Sequence, residues 1–292
     1  MRALGRLLAV LPRAAVPRLG AWLSRRRPLV RRRARIAARN LSLAFPGLDA
    51  TERAGLLRET IASNTTGGLD TLRAWFAPAR RLRGAADITG VDVLADAVAE
   101  GRGAIVVGAH YDSIELAIRL ACDAARGAGI RTAILKRRYN DPCLEAAIDA
   151  GRLRYATTTV DKKDVSGFCG AVAGGGAAFY VPDQDASRGH AFVPFFGVPA
   201  ATFATTGSVL RRAGGVPLLM WSRRQDDGRL AIDIARAPDG FLDGDGAEVA
   251  ARYMGWVERR ARQAPAQYLW VHRRYKTRPP GDPGLYSGED PP

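Results

Sequence analysis

The stretch AIVVGAHYDSIELAIRLA, residues 104–121, decides the fold of this chain. It opens with an uninterrupted apolar run, Ala104–Val107, whose length is typical of a strand buried on both faces. Apolar residues then recur at helical spacing and predict a helix over 113–126; they are Ile114, Ala117, Ile118 and Ala121. His110 lies in the turn between strand and helix, which is the part of an open α/β sheet where functional sites are found.

The same alternation of strands and helices continues on both sides of this stretch. Strands are predicted at 131–135, 177–181, 216–221 and 230–234, and helices near 50–63, 93–100, 142–150 and 247–263. Asp49 and Glu52 form the pattern of a capping box at the start of the first of these helices. Strands that alternate with helices predict an α/β fold with a largely parallel sheet flanked by helices.

The positive charge is concentrated at the amino terminus. The 292 residues carry a net charge of +15, but residues 1–40 contain twelve arginines and no acid, so subtracting those twelve leaves +3 for the rest. We therefore divide the chain into a basic arm (1–40), a globular body (41–276) and a Pro/Gly-rich tail (277–292), which we expect to be loosely ordered. Such an arm suits an anionic membrane surface or a nucleic acid.

The arm has the composition of an amphipathic segment that lies on a membrane. Its longest apolar run, Leu7–Leu11, is far shorter than the roughly 20 residues that span a bilayer, and Pro12 and Pro17 divide it into short helices. A solvated helix pair packed on the body is the alternative. We expect no nucleic-acid partner, because the nearly neutral body does not interleave basic and aromatic residues. The uncharged segment 189–210 is interpreted as an apolar loop that is buried or enters lipid.

His110 and Glu115 have the spacing of a catalytic dyad. Because His110 is still in the turn, the chain can fold back so that the carboxylate of Glu115 meets one ring nitrogen. That contact would fix the tautomer and leave the other nitrogen to take a proton from a hydroxyl. Without further context, a histidine followed by an acid is more often structural.

The context is a set of segments that resembles the lipid A biosynthesis acyltransferases of Gram-negative bacteria. Residues 110–115, HYDSIE, match the H-x4-(D/E) motif that this family shares with the wider glycerolipid acyltransferases. The other segments are ARNLSLAFPGLDATER (38–53), RRYNDP (137–142), YVPDQD (180–185), FVPFFGVPAAT (192–202) and APAQYLWVHRRYKTRPPG (264–281). The resemblance thus covers almost the whole chain, in order.

The resemblance implies a glycerolipid acyltransferase-like fold and an enzyme at the cytoplasmic face of the cell inner membrane. The implied donor is an acyl carrier protein thioester, the implied acceptor is a hydroxyl of a lipid A precursor, and no metal or other cofactor is expected. The dyad of His110 and Glu115 would activate the acceptor for direct attack on the thioester. The same chemistry on another acceptor, such as an ornithine lipid or a glycolipid, stays open.

Five further residues are candidates for substrate binding. Arg137 follows a predicted strand and would stabilise an oxyanion or bind a phosphate, unless it belongs to a solvated basic loop. Asp183 and Asp185 follow another strand and would orient Arg137 or bind the acceptor sugar; turn formation is the alternative. Arg273 and Arg274 would bind an acceptor phosphate or ion-pair within the fold.

Two other features bear on the function. The candidates for a positive surface that docks an acidic acyl carrier protein are Lys136, Arg137 and Arg138, together with Arg152 and Arg154. Residues 106–113, VVGAHYDS, also resemble the first metal-ligand segment of zinc aminopeptidases, but the adjacent Glu pair that such a site needs occurs nowhere in the chain. A non-catalytic membrane-binding protein is the remaining alternative.

Overall fold

The centre of the molecule is a seven-stranded sheet, seen in a computed structural model that describes residues 2–8, 10–12 and 14–286. The strands of the described part are β1 (Ala86–Thr89), β2 (Ala104–Val107), β3 (Thr132–Lys136), β4 (Thr158–Asp161), β5 (Ala177–Tyr180), β6 (His190–Phe195), β7 (Val198–Phe203), β8 (Val216–Arg224) and β9 (Leu230–Arg236).

Helices cover both faces of the sheet and form the amino-terminal part of the chain. They are α1 (Arg2–Leu8), α2 (Ala15–Ser24), α3 (Arg27–Ala44), α4 (Ala50–Phe76), α5 (Ala79–Leu82), α6 (Val91–Ala99), α7 (Ile114–Gly127), α8 (Pro142–Arg152), α9 (Val165–Ala173), α10 (Thr205–Ala213) and α11 (Gly246–Gln263), followed by a 3₁₀ turn at Pro265–Gln267.

The sheet order is β1-β9-β8-β2-β5-β3-β4, and every pairing is parallel except that of β8 with β9. The α/β fold with a largely parallel sheet is therefore confirmed. β2 has the bounds that were predicted, and all four of its residues are buried. An unbroken apolar run is what a central parallel strand requires, because helices cover both of its faces.

The first long helix is also confirmed, and it is longer than predicted. Asp49 accepts hydrogen bonds from the backbone of Thr51 and Glu52, while Glu52 accepts one from the backbone of Asp49, so the capping box is complete. The helix, α4, then continues to Phe76. Its carboxyl-terminal half crosses beneath the turn that carries His110.

The uncharged segment 189–210 is not a loop. Most of it forms an antiparallel hairpin, β6–β7, which is followed by the start of α10. The hairpin is buried through Val193, Phe195 and Phe196. Burial was one of the two alternatives that we considered for this segment. The prediction of a loop was wrong. A hairpin can form here because Pro194 and Pro199 lie opposite each other, at positions where the pairing does not need their missing N–H groups.

The basic arm packs on the body through small residues. A Cβ added at Gly5 in α1 would lie 2.6 Å from the carbonyl oxygen of Leu72, and one at Gly20 in α2 would lie 2.1 Å from Thr66 Oγ1, so both helices lie directly against α4. α3 runs through the boundary predicted at residue 40. No helix of the described residues is both long enough and apolar enough to cross a membrane.

The expectation of a loosely ordered tail is wrong for residues 277–286. Thr277 donates from its backbone N–H and its hydroxyl to Asp185, at 3.0 and 2.9 Å. Arg278 donates to the carbonyl oxygen of Pro199 at 2.6 Å, and the ring of Tyr286 is buried. The rest of the predicted tail, 287–292, lies outside the described residues.

Two adjacent glycines test how closely α4 approaches the His110 turn. A Cβ at Gly67 would lie 1.7 Å from the carbonyl oxygen of Asp112, whereas one at Gly68 meets no atom within 4 Å. We expect Gly67→Ala to lower the free energy of unfolding by about 1–3 kcal/mol through overpacking. Gly68→Ala should raise it by up to about 1 kcal/mol through helix propensity. Equal urea midpoints for the two variants would contradict this packing.

Candidate active site

His110 is held at the carboxyl end of β2 by the carboxylate of Asp183, which follows β5. The backbone N–H of His110 donates to Asp183 Oδ2 at 2.9 Å, and its ring Nδ1 lies 2.5 Å from Asp183 Oδ1. The side chain of Asp183 is 1% exposed and that of His110 is 25% exposed. One buried carboxylate therefore fixes both the backbone and the ring of the histidine.

This contact determines which nitrogen of His110 is available for chemistry. Burial alone would raise the pKa of Asp183, but the facing His110 and its hydrogen bonds outweigh burial and lower that pKa, so Asp183 is a carboxylate. A carboxylate only accepts hydrogen bonds, so Nδ1 carries the proton of the neutral ring. Nε2 is left with its lone pair, beside the side-chain amide of Gln184 at 3.4 Å.

The turn after His110 is anchored by a buried ionic cluster. Asp70, in α4, accepts from Ser113 Oγ at 3.0 Å and is paired with Arg224 at the end of β8. Asp112 Oδ2 accepts from Ser63 Oγ at 3.0 Å and lies 3.5 Å from Arg224 Nε. The carboxylate of Asp112 is thus engaged away from the ring of His110, contrary to what the zinc aminopeptidase alternative requires.

Glu115 does not pair with His110 as expected. Its Oε1 accepts from Trp75 Nε1 at 2.8 Å, from Arg152 Nε at 2.7 Å and from Tyr155 Oη at 2.7 Å, and its Oε2 accepts from Arg152 Nη2 at 2.7 Å. Glu115 is the second residue of α7, and its side chain points toward α4 and α8, where Trp75 and Arg152 lie. The physical reason is that a guanidinium donates two charge-assisted hydrogen bonds to a buried carboxylate, whereas an imidazole nitrogen donates only one.

The ion pair of Glu115 and Arg152 is strongly coupled. Burial by itself raises the pKa of Glu115, but the Arg152 guanidinium and the three hydrogen-bond donors outweigh it and lower that pKa from 4.5 to about 2. The pKa of Arg152 is raised by the same partner, despite burial. Both groups are charged at neutral pH, and α7 is tied to the end of α8.

A cavity of about 370 Å³ opens beside His110. It lies between α3, α4, the start of α7 and the segment after the 3₁₀ turn. Its lining includes Arg33, Asn64, Gly67, Gly68, Thr71, His110, Tyr111, Asp112, Ile114, Leu269, Val271 and His272. Polar and charged residues make up half of this lining, and the apolar and aromatic ones are Tyr111, Ile114, Leu269 and Val271, so the cavity offers polar as well as apolar contacts.

Asp185 does not orient Arg137, which was one of the roles that we considered for it. Asp185 accepts from Thr277, and its backbone N–H donates to His272 Nε2 at 3.0 Å. Arg137 follows β3, which β5 separates from β2, so their ends lie about 10 Å apart in the sheet. Arg137 is exposed and is not among the residues that line the cavity.

Arg274 is part of the body rather than a surface for substrate. It is 2% exposed, and its guanidinium donates to the carbonyl oxygen of Ala201 at 2.6 Å and to Thr202 Oγ1 at 2.5 Å. It therefore holds the β6–β7 hairpin. The guanidinium of Arg273 lies 5.9 Å from the ring centroid of Tyr286, and neither arginine lines the cavity.

The basic surface proposed for docking a carrier protein is smaller than expected. Lys136 is paired with Glu145 and, at 2.6 Å, with Asp149, and Arg152 is occupied by Glu115. Both cations are mostly buried. Arg137 and Arg138 are the exposed members of that run.

Comparison with known proteins decides the family. The family model described as bacterial lipid A biosynthesis acyltransferase matches residues 1–277. The chain belongs to the lipid A biosynthesis acyltransferases. It is thus an acyltransferase, and the resemblance seen in its sequence motifs is confirmed.

Three relatives of this acyltransferase come from Escherichia coli strain K12. The lipid A biosynthesis lauroyltransferase is 34% identical over 96% of this chain and 91% of its own length. The palmitoleoyltransferase is 34% identical over 92% and 86%, and the myristoyltransferase is 26% identical over 94% and 83%. The names of these relatives differ in the acyl chain, whereas the family is common to all three.

Two residues near His110 have partners in the structure that differ from those predicted from the sequence. Asp183 was predicted as a substrate ligand, because its sequence distance from His110 gives no sign that β5 lies next to β2. Arg152 was assigned to a docking surface. The signal for its role is weak, since only the tertiary packing of α8 against α7 brings it to Glu115.

The placement of Glu115 generates a prediction about stability. Glu115→Gln leaves the Arg152 charge buried without its counter-charge and should lower the free energy of unfolding by about 3 kcal/mol at pH 7. Because the folded pKa of Glu115 is lowered, the stabilisation is present above its unfolded pKa of about 4.3 and is lost as the pH falls toward 2. The difference between wild type and variant should therefore shrink on acidification.

Urea titrations between pH 3 and 7 measure this difference. Replacing both partners, by Glu115→Leu with Arg152→Met, is the control that removes the two charges together, and it should recover part of the lost stability. A Glu115→Gln protein as stable as wild type at pH 7 would show that the pair contributes nothing.

Proposed function

We propose that this acyltransferase transfers a fatty acyl chain from an acyl carrier protein thioester to a hydroxyl of a lipid A precursor, with His110 as general base. The observation that carries the proposal is the contact of His110 Nδ1 with the buried carboxylate of Asp183, which leaves the lone pair on Nε2, where the Gln184 amide at 3.4 Å is its only partner within the described residues. An acceptor hydroxyl in the cavity that His110 lines would take the place of this long hydrogen bond. Membership of the family supports the reaction class.

The proposed step is a direct transfer. Nε2 of His110 takes the proton of the acceptor hydroxyl while the hydroxyl oxygen attacks the thioester carbonyl carbon. The tetrahedral intermediate then collapses with cleavage of the carbon–sulfur bond, and the departing thiolate takes this proton from the imidazolium, so that the products are an ester and the free thiol of the carrier. Asp183 stabilises the imidazolium between the two events, which is the role of the acid in a catalytic triad. No metal or other cofactor takes part in this scheme.

The dyad therefore pairs His110 with Asp183, and Glu115 becomes a positioning residue. Through Arg152, Trp75 and Tyr155 it fixes the first turn of α7, and so the turn that carries His110. Arg137 and Arg138 remain candidates for docking the acidic donor, because both are exposed. An ornithine lipid or a glycolipid as acceptor would use the same base and the same cavity.

We also propose that the enzyme works on an anionic membrane surface, at the cytoplasmic face of the inner membrane. Four large apolar side chains of the arm are 47–60% exposed: Leu4, Leu7, Val10 and Trp22. Arg6, Arg18, Arg25 and Arg26 are exposed on the same two helices and at the end of the second. Exposed apolar groups beside cations are typical of helices that lie in a membrane interface.

Two substitutions test the general base. His110→Ala should lower kcat for acyl transfer to a purified lipid A precursor by at least about 10³-fold, and Asp183→Asn by about 10²–10⁴-fold, because the ring loses its fixed tautomer and its counter-charge. Circular dichroism shows whether each variant is folded. His190→Ala, outside the cavity lining, should keep kcat within about threefold. Normal turnover in His110→Ala would exclude the mechanism.

Flotation with anionic vesicles tests the membrane surface. Leu4→Gln, Leu7→Gln and Trp22→Gln together should reduce binding at high salt by at least about tenfold, because salt screens the arginines but not the apolar contacts. Tyr139→Gln with Leu153→Gln is the matched control, since both side chains are exposed but lie in another part of the molecule. Deleting residues 1–40 would be uninformative, because it cuts α3. Full flotation of the triple variant at high salt would place the anchor elsewhere.

A further inference from the structure

Arg33 occupies a position in α3 where the helix pattern calls for an apolar side chain. Ala37, Asn40, Leu41 and Ala44 form the buried stripe of this helix, and Arg33 lies on the same stripe, seven residues before Asn40. It is nevertheless exposed, because the cavity beside His110 lies in front of it. It makes no hydrogen bond or ion pair within the described part of the chain. An unpaired guanidinium thus faces the site.

His272 presents a second donor to the same cavity. Its Nε2 accepts from the backbone N–H of Asp185 at 3.0 Å, so the neutral ring carries its proton on Nδ1. Burial, together with the nearby His110, lowers the pKa of His272 to about 4, and the neutral form prevails at pH 7. In the described residues Nδ1 has no hydrogen-bond partner, and His272 lines the cavity. The tautomer therefore gives the cavity an N–H donor.

Arg33 and His272 are joined through a shared framework. The side-chain amide of Asn40 donates to the carbonyl oxygens of Trp270 at 2.6 Å and of His272 at 2.7 Å. This buried amide fixes α3 against the segment that carries His272. The backbones that carry the two donors are consequently tied to each other by buried hydrogen bonds within the protein itself.

We propose that Arg33 and His272 form a binding site for a phosphate group of the acceptor lipid, at the mouth of the His110 cavity. The inference rests on the proposed function, to which it adds the group that is recognised on the acceptor. Arg33 supplies a planar fork of donors that matches phosphate oxygens, and His272 adds a neutral donor from the segment that Asn40 ties to α3. The acid that lines the cavity, Asp112, lies 3.5 Å from the Arg224 guanidinium, which offsets its charge. Arg224 also pairs with Asp70, whose charge is offset by a second cation, Arg73, at 2.6 Å.

A phosphate near this cavity has two sources, the acceptor lipid and the prosthetic arm of the thioester donor. We assign it to the acceptor, because Arg33 belongs to the arm that we place at the membrane surface, where the acceptor lies. A phosphate monoester also carries up to two charges, whereas the diester of the donor arm carries one, and the guanidinium favours the larger charge.

The test compares two acceptors in neutral detergent micelles, which remove the anionic surface. One is a phosphorylated lipid A precursor, and the other is the same molecule after its phosphates have been removed by phosphatase. Calorimetry measures the Kd of each without turnover. In wild type the phosphorylated form should bind more than tenfold tighter, and Arg33→Gln should reduce that ratio by about tenfold.

Two further variants test the role of His272 and whether the effect is specific to Arg33. His272→Gln retains an acceptor for the Asp185 N–H but loses the donor at the Nδ1 position, so the Kd ratio should fall by about threefold to tenfold. Arg35→Gln is the matched control, because Arg35 is exposed on the same helix, turned about 200° from Arg33, and does not line the cavity. Its Kd ratio should equal that of wild type.

The outcomes separate this inference from the proposed function. A wild-type Kd ratio near one, or an unchanged ratio in Arg33→Gln, overturns the phosphate site. If Arg33→Gln instead raises the KM for the thioester donor and leaves the acceptor ratio unchanged, the assignment to the acceptor is wrong. A wild-type protein that binds the phosphorylated precursor with the expected preference but transfers no acyl chain to it would refute the proposed function alone.

Discussion

The site depends on one carboxylate that accepts two hydrogen bonds from the same residue. Asp183 binds the backbone N–H of His110 and its ring Nδ1, and thereby joins the carboxyl ends of β2 and β5. A buried carboxylate is stable only when its oxygens are satisfied. The same contacts that stabilise Asp183 as an anion also fix the orientation and the tautomer of the His110 imidazole.

The surrounding structure supplies the rigidity that this contact needs. The buried pair of Asp70 and Arg224 fixes Ser113. The pair of Glu115 and Arg152 fixes the start of α7. The carboxyl-terminal segment runs along the turn, since the backbone carbonyl oxygen of Gln267 accepts from the N–H of Asp112 at 2.8 Å. The turn of His110 is thus held on three sides by buried groups that leave its ring edge open to the cavity.

The amino-terminal arm and the carboxyl-terminal segment meet at this cavity from opposite ends of the sequence. Asn40 ties α3 to the backbone around His272, and Tyr286 donates its hydroxyl to Asn40 in turn. The arm is consequently more than a charged appendage. The helices that expose its apolar side chains belong to the same packed unit as the wall of the cavity, so a surface on which the arm lies would be in line with the mouth of the site.

Sequence alone determined the strand–turn–helix around His110, the alternation that makes the sheet parallel, and the family. These features are local, because a buried parallel strand needs an unbroken apolar run and a helix needs its own periodicity and caps. The partner of His110 was not local. Sequence spacing favoured Glu115, five residues away, whereas strand order brought Asp183 from 73 residues away to the adjacent strand end. Only the tertiary structure places a second strand end, a helix and a carboxyl-terminal segment within hydrogen-bond distance of one turn, since strand order follows from packing that no short stretch of sequence encodes.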